Sequence, residues 1–123
     1  MNAKHYVSLE AAKKLKEINH DGLDYEMHIT DNGIIRPTYV VGNVYPAPTL
    51  LEAMDWLESK GIYISIKVSL PAIERKKNMY SYDVLIKEGD GVRRPNVDVN
   101  WYSRHANRNE CLQKAIEKAL ELL

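Results

Sequence analysis

Residues 48–61 read PTLLEAMDWLESKG and predict a complete helix with a start, an apolar face and an end. Thr49 is placed to accept a hydrogen bond from the Glu52 N–H while the Glu52 carboxylate reaches back to the Thr49 N–H, which is a capping box. Gly61 suits the left-handed conformation that ends many helices. The apolar residues recur at three- and four-residue steps and predict one core-facing stripe of Leu50, Ala53, Met54 and Leu57.

Trp56 lies off this stripe and has two interpretations. A large aromatic side chain usually supplies core area, which predicts that Trp56 covers the edge of the core. The alternative is an exposed aromatic residue that contacts a partner or a base.

The segment before this helix predicts one further helix and two strands. Ser8 is a suitable N-cap for a helix over residues 9–19, which Asp21 and Gly22 end. Alternation over residues 23–30 predicts a half-buried strand, and the DNG sequence at 31–33 predicts a hairpin turn. The returning strand, residues 34–41, contains Pro37 and is therefore expected at a sheet edge or at a bulge.

The segment after it predicts three strands and a closing helix. Apolar and polar residues alternate over 62–70 and again over 79–87, with a loop at 71–78 and a turn at 88–91. Residues 97–101 predict a last short strand that begins near Pro95. Asn107 and Glu110 form a capping box in sequence, and the helix stripe that follows is Leu112, Ala115, Ile116, Ala119, Leu120 and Leu123.

Together these elements predict a single α+β domain over residues 1–123, in the order α-β-β-α-β-β-β-α. Short connections favour one antiparallel sheet of four to five strands with the helices packed on one face. Residues 9–15 (LEAAKKL) echo residues 51–57 (LEAMDWL), which suggests a tandem α-β-β repeat. Chance similarity between two amphipathic helices is the alternative.

Composition restricts the classes of function. The 17 basic and 17 acidic residues cancel, so no global field attracts nucleic acid or an anionic membrane. One cysteine excludes an intrachain disulfide and a cysteine-rich zinc site, and agrees with a reducing cytoplasm. No apolar run approaches the roughly 20 residues that span a bilayer, and the N-terminus lacks a signal-peptide pattern. We expect a cytoplasmic protein without a membrane partner.

The reactive side chains form no motif that predicts catalysis. Cys111 lies in the first turn of the closing helix, where a thiolate can be stabilised, but it borders the apolar stripe and is expected in the core. The four histidines are scattered without the spacing of a helical metal site: His5, His20, His28 and His105. No catalytic residue, metal ligand or cofactor is therefore predicted.

Basic clusters near aromatic residues give the one functional signal. Basic loops beside sheet aromatics are typical of single-stranded nucleic-acid binders, which use charge for the backbone and rings for the bases. Solvated loop charges, balanced by neighbouring acidic residues, are the favoured interpretation because the net charge is zero. The residues predicted to contact a nucleic acid or another partner are Arg75, Lys76, Lys77, Arg93, Arg94, Arg104, Arg108, Trp56 and Trp101.

Three segments of the chain resemble landmarks of a protein family: residues 8–15 (SLEAAKKL), 47–57 (APTLLEAMDWL) and 110–120 (ECLQKAIEKAL). The family consists of small uncharacterised proteins of gut Bacteroidetes, their prophages and mobile elements. It resembles this chain in a helix of the type APTxxEAxxWL after two strands, and in a closing helix with an acidic start. The basic loop from Glu74 to Lys77 and a missing aromatic-rich insert after the third strand depart from that pattern. The resemblance carries no function and no site residue.

The sequence therefore predicts a small non-enzymatic protein that binds another protein or itself, as an accessory of a phage or mobile element. Its interfaces are expected at the edge strand near Pro37 or at the closing helix. The alternative is a single-stranded nucleic-acid-binding module, and an enzyme is the least favoured interpretation.

Overall fold

The computed structural model describes residues 3–37, 42–69, 79–93, 105 and 107–123. A short 3-10 helix, Ala3–His5, begins the described chain. Three α-helices follow along the chain: α1 (Leu9–Glu17), α2 (Leu50–Ser59) and α3 (Arg108–Leu120). The strands are β1 (His28–Thr30), β2 (Ile35–Arg36), β3 (Val44–Pro46), β4 (Ile62–Ser69), β5 (Met79–Glu88) and β6 (Gly91–Arg93).

The described strands form two antiparallel sheets of three strands each, with the orders β2-β1-β3 and β4-β5-β6. The α+β class is confirmed, but the single sheet of four to five strands and the predicted element order are wrong. The unpredicted strand β3 pairs with β1, which gives the first three strands a sheet of their own. The sequence around Pro46 shows no alternating pattern. Strand β3 therefore forms because it pairs with β1.

The tandem α-β-β repeat stays a prediction, and the strand orders differ between the two halves. In the first half the first strand, β1, lies at the centre of its sheet. In the second half the second strand, β5, lies at the centre of its sheet. Two copies of one unit would place corresponding strands at corresponding positions.

Helix α1 begins as predicted and ends two residues earlier. The Ser8 hydroxyl accepts from the Ala11 N–H at 3.2 Å, which confirms the N-cap. Ile18 is extended, so the chain leaves the helix before Asn19. Gly22 has a φ of 83° and makes the turn that follows.

Helix α2 has the predicted start and end. The Glu52 N–H donates to Thr49 Oγ1 at 3.1 Å and the Thr49 N–H donates to Glu52 Oε1 at 2.8 Å, so the capping box is complete. Gly61 follows the helix with a φ of 82°. The buried face differs in one respect, because Trp56 is buried in place of Met54, which is half-buried.

The first sheet is shorter than the alternating pattern predicted. Strand β1 covers only the last three residues of the predicted 23–30, because the antiparallel pairing with β2 and β3 begins at His28. The return strand β2 covers two residues and lies at the sheet edge, as Pro37 indicated. Residues 38–41 of the predicted strand lie outside the described residues.

The second sheet is built on the long hairpin of β4 and β5. Ile62, Ile64 and Ile66 lie opposite Ile86, Val84 and Tyr82, and all of these except Ile86 belong to the core or pack against it. Strand β6 begins at Gly91, the last residue of the predicted turn 88–91, and all three of its residues pair with β5. The predicted strand 97–101 and the loop 71–78 lie outside the described residues.

Helix α3 is the centre of the core. It packs against β4 and β5 and against both other helices. Asn107 caps it by accepting from the Glu110 N–H at 3.0 Å. Its fully buried stripe is Cys111, Ala115, Ile116, Ala119 and Leu120, while the predicted Leu123 is 47% exposed beyond the helix end. No helix in the described part of the chain is long and apolar enough to cross a membrane.

Candidate protein-binding groove

An open groove of about 610 Å³ lies where the N-terminal ends of α2 and α3 meet above β4. We call it the α2–α3 groove. Its apolar lining residues are Leu50, Leu51 and Met54 of α2, Ile66 of β4 and Leu112 of α3. Thr49, Asn109, His5 and Arg108 supply the polar part of the lining. The lining is therefore mainly apolar, with Arg108 as its one permanently charged side chain among the described residues.

Contacts of the N-terminal segment hold the two helix starts together. The Val7 N–H donates to Pro48 O at 3.1 Å, and Tyr6 forms an antiparallel bridge with Thr49 at the N-cap of α2. On the other side, Gln113 Nε2 donates to Tyr6 O at 2.8 Å and so fixes α3 to the same segment. The groove is thus framed by three segments that are distant in sequence.

Leu51 is the exposed apolar residue of this groove. Its neighbour Leu50 is 5% exposed and belongs to the core, whereas Leu51 is 67% exposed. The capping box fixes where α2 starts and with it which residue faces outward. A single exposed leucine is common on protein surfaces, but here it borders the half-buried side chains of Met54, Ile66 and Leu112. A continuous apolar surface results.

Of the charged residues predicted to contact a partner, Arg108 is the one that lines the groove within the part of the chain that the structure describes. It is exposed and forms no ion pair with any residue that the structure describes. It is also the first residue of α3, where the positive end of the helix dipole disfavours a cation. Helix stability therefore does not account for an arginine at this position.

The other predicted contact residues do not assemble into one surface within the described chain. Arg93 is the last residue of β6 and is ion-paired with Glu88 across the hairpin. Trp56 is 4% exposed, and its Nε1–H donates to Asp21 O at 3.0 Å. Its packing role is confirmed, and it is not available to a partner. The remaining predictions lie outside the described residues: Arg75, Lys76, Lys77, Arg94, Trp101 and Arg104.

Cys111 is a core residue, as expected. It is completely buried, and burial raises the pKa of its thiol to about 11. A thiol with that pKa is almost entirely protonated at neutral pH, which opposes a nucleophilic role. Among the described residues, no three histidine, cysteine or acidic side chains lie close enough to hold a metal ion.

A second cavity of about 510 Å³ lies on the outer face of the second sheet, lined by Tyr63, Leu85 and Val92 beside the turn at 89–91. Val92 is 65% exposed. Lys87 and Asp90, which carry opposite charges, also line this cavity, together with the turn glycines Gly89 and Gly91. It is less apolar than the α2–α3 groove.

Sequence reasoning missed the groove because its walls come from residues assigned to core stripes. Met54 and Leu112 were placed in apolar stripes, and Ile66 in an alternating strand. One signal was available: Leu51 is apolar, yet it shares a helix face with Asp55 and Glu58, at steps of four and seven residues. Comparison with protein-family models, with curated proteins and with solved structures found no match to this chain.

Proposed function

We propose that this chain is a non-enzymatic cytoplasmic module that binds an apolar segment of a protein in the α2–α3 groove. The observation that carries the proposal is the exposed Leu51 in a groove that Met54, Ile66 and Leu112 also line. Removing a leucine side chain from water contributes about 1.5–3 kcal/mol, and a partner side chain that enters the groove gains similarly.

The lining supports an adaptable, apolar contact. Methionine is unbranched and flexible, and it fills irregular spaces against different partner side chains. Arg108 adds one charge to the lining, where it can orient a segment that carries a carboxylate. A helix laid into a groove and anchored by apolar residues at helical spacing is a recurrent mode of this kind.

A nucleic-acid site is the second candidate and has less support within the described residues. Binding to a phosphate backbone requires several cations along one track. Arg93 is neutralised by Glu88, and Arg108 shares a mainly apolar lining with Leu51, Met54 and Leu112. The prediction for Arg75, Lys76 and Lys77 remains, and its test is binding to single-stranded DNA or RNA that weakens steeply with salt and is lost in Arg75→Ala with Lys76→Ala.

Selection from a displayed library of random peptides tests the proposed function. We expect enriched peptides with apolar residues at helical spacing that bind the wild-type protein and lose binding to Leu51→Glu. Val92→Glu is the matched control, since it places the same charge on an equally exposed apolar residue of the other cavity. A library that yields no such peptides, or peptides that bind Leu51→Glu as well as wild type, would contradict the proposal.

We also propose, from the family resemblance alone, that the chain is an accessory of a phage or mobile element. The genes that flank its coding sequence provide the test. Phage structural or integration genes beside it support this origin, and an invariant housekeeping operon contradicts it.

A further inference from the structure

Helix α2 presents an exposed ridge beside the groove. Leu51, Asp55 and Glu58 are exposed and follow one another at four- and three-residue steps, so they lie along one face of the helix. We call these three residues the α2 ridge. The ridge combines one protruding apolar side chain with two carboxylates.

The α2 ridge and the α2–α3 groove form adjoining parts of one surface, because Leu51 belongs to both. A surface that carries a projection next to a recess can pair with a copy of itself. In a two-fold dimer the same patch is used on both subunits, so each ridge meets the partner's groove and the contact is made twice.

Charge supports this pairing. Asp55 and Glu58 form no ion pair with any residue in the described ranges, and the same holds for Arg108, which lines the groove. A ridge laid across the groove of a second copy brings its carboxylates toward an unpaired guanidinium. Arginine binds carboxylates with directional, charge-assisted hydrogen bonds, which would give the contact its register.

We infer that the occupant of the α2–α3 groove is the α2 ridge of a second copy of this chain, in a two-fold homodimer. The inference rests on the proposed function, because it names the partner of the same groove. Leu51 packs against Met54 and Leu112 of the other copy, and Arg108 pairs with the ridge carboxylates. A contact of one helix face and one groove belongs to the small, weak class of interface, so the dimer depends on protein concentration.

Sedimentation velocity over a wide concentration series provides the first test. We expect wild type to shift from monomer to dimer, Leu51→Glu to remain monomeric, and the control Val92→Glu to behave as wild type. If Leu51→Glu fails to fold, Leu51→Ala gives the same readout with a smaller side chain and a good helix former. A wild type that is monomeric throughout, or a dimer that Leu51→Glu leaves unchanged, overturns the inference.

Charge reversal tests the pairing itself. Arg108→Glu alone, and Asp55→Arg with Glu58→Arg alone, each place like charges in both contacts of their own homodimer and should remain monomeric. Mixing the two variants restores an opposite pair in both contacts, so the mixture should form a heterodimer while neither variant dimerises alone. A mixture that stays monomeric overturns the assignment of Arg108 to the ridge.

These outcomes separate the inference from the proposed function. If wild type is monomeric but library peptides bind in a Leu51-dependent way, the groove binds a foreign protein and the second-copy inference falls. If neither dimer formation nor peptide binding depends on Leu51, both the second-copy inference and the proposed function are wrong.

Discussion

Ser8 Oγ donates a hydrogen bond to Glu117 Oε1 at 2.6 Å, across 109 positions of sequence. The same hydroxyl accepts from the Ala11 N–H at the start of α1. One side chain therefore caps a helix and joins the first helix to the last. Glu117 is held from its other side by Lys114, whose Nζ lies 3.3 Å from Oε2.

Substitution of Ser8 by alanine removes both hydrogen bonds. We expect Ser8→Ala to lower the free energy of unfolding by about 1–2 kcal/mol, from the lost cap and the lost hydrogen bond to Glu117. Urea denaturation measures this change. Ser8→Thr keeps a hydroxyl for both bonds and should stay close to wild type, and equal losses in the two variants would contradict the double role.

Trp56 contributes through its N–H as well as its ring. Trp56→Phe keeps an aromatic ring but removes the bond to the Asp21 carbonyl, so we expect the free energy of unfolding to fall by about 1–2 kcal/mol. Thermal and urea unfolding provide the measurement. Leu51→Ala, on the same helix but exposed, should change stability by no more than about 0.5 kcal/mol. The reverse ranking of these two variants would refute the assigned burial.

Cys111 should be unreactive in the folded protein. Burial raises the pKa of its thiol from 9.0 to about 11, and this shift alone lowers the thiolate fraction about 100-fold near pH 8. We expect alkylation by iodoacetamide to be slower in native buffer than in denaturant by at least that factor. Mass spectrometry of the labelled chain follows both reactions, and comparable rates would show that the thiol is accessible.

Stability should fall at alkaline pH. The folded-state pKa values of Cys111 and Tyr82 are raised, to about 11 and about 12, mainly by burial. A raised pKa favours the protonated form on folding, so this stability is complete below the unfolded pKa and is lost as pH rises through the folded one. We expect the Cys111 part of the loss to begin near pH 9 and to reach about 2 kcal/mol by pH 11.

Cys111→Ala provides the control for that pH dependence. It removes the thiol titration and leaves that of Tyr82, so the free energy of unfolding should fall less steeply between about pH 9 and pH 11 than in wild type. Urea unfolding at a series of pH values gives both curves. Identical slopes would mean that the thiol already titrates normally in the folded state.

The pKa of Tyr45 should lie above that of an ordinary tyrosine because of its neighbour Asp31. Its hydroxyl donates to Asp31 Oδ1 at 2.8 Å, and this hydrogen bond is the main cause of a raised pKa, followed by burial and the carboxylate charge. Asp31→Asn should lower the Tyr45 titration midpoint. NMR of the Tyr45 ring carbon measures it, with Asp90→Asn as an acidic-site control, and an unchanged midpoint would exclude the bond in solution.

Capping residues made the helices predictable. Ser8, Thr49 with Glu52, and Asn107 each act on backbone N–H groups within three residues, so their effect does not depend on the rest of the fold. The strand pairs were less predictable. Alternation identified β4 and β5, but β3 has no pattern of its own and exists because it pairs with β1.

The candidate site was almost absent from the sequence. Arg108 was predicted as a contact residue from its charge, and its place in one groove with Leu51, Ile66 and His5 follows from the packing of α3 against α2, β4 and the N-terminal segment. Trp56 could be assigned only as core or contact, because its position at the edge of a helical stripe permits both. The hydrogen bond from its Nε1–H to the Asp21 carbonyl, in the loop after α1, assigns Trp56 to the core.

Local physical chemistry in the sequence alone thus determined the three helices, their caps and the long hairpin, since hydrogen bonds and periodicity within a few residues specify them. Only the tertiary structure decided that the strands form two sheets, that α3 is the central helix, and that Leu51 remains exposed beside an apolar groove. Those features depend on contacts between segments up to about a hundred residues apart, where pairing and burial compete among alternatives that sequence periodicity does not distinguish.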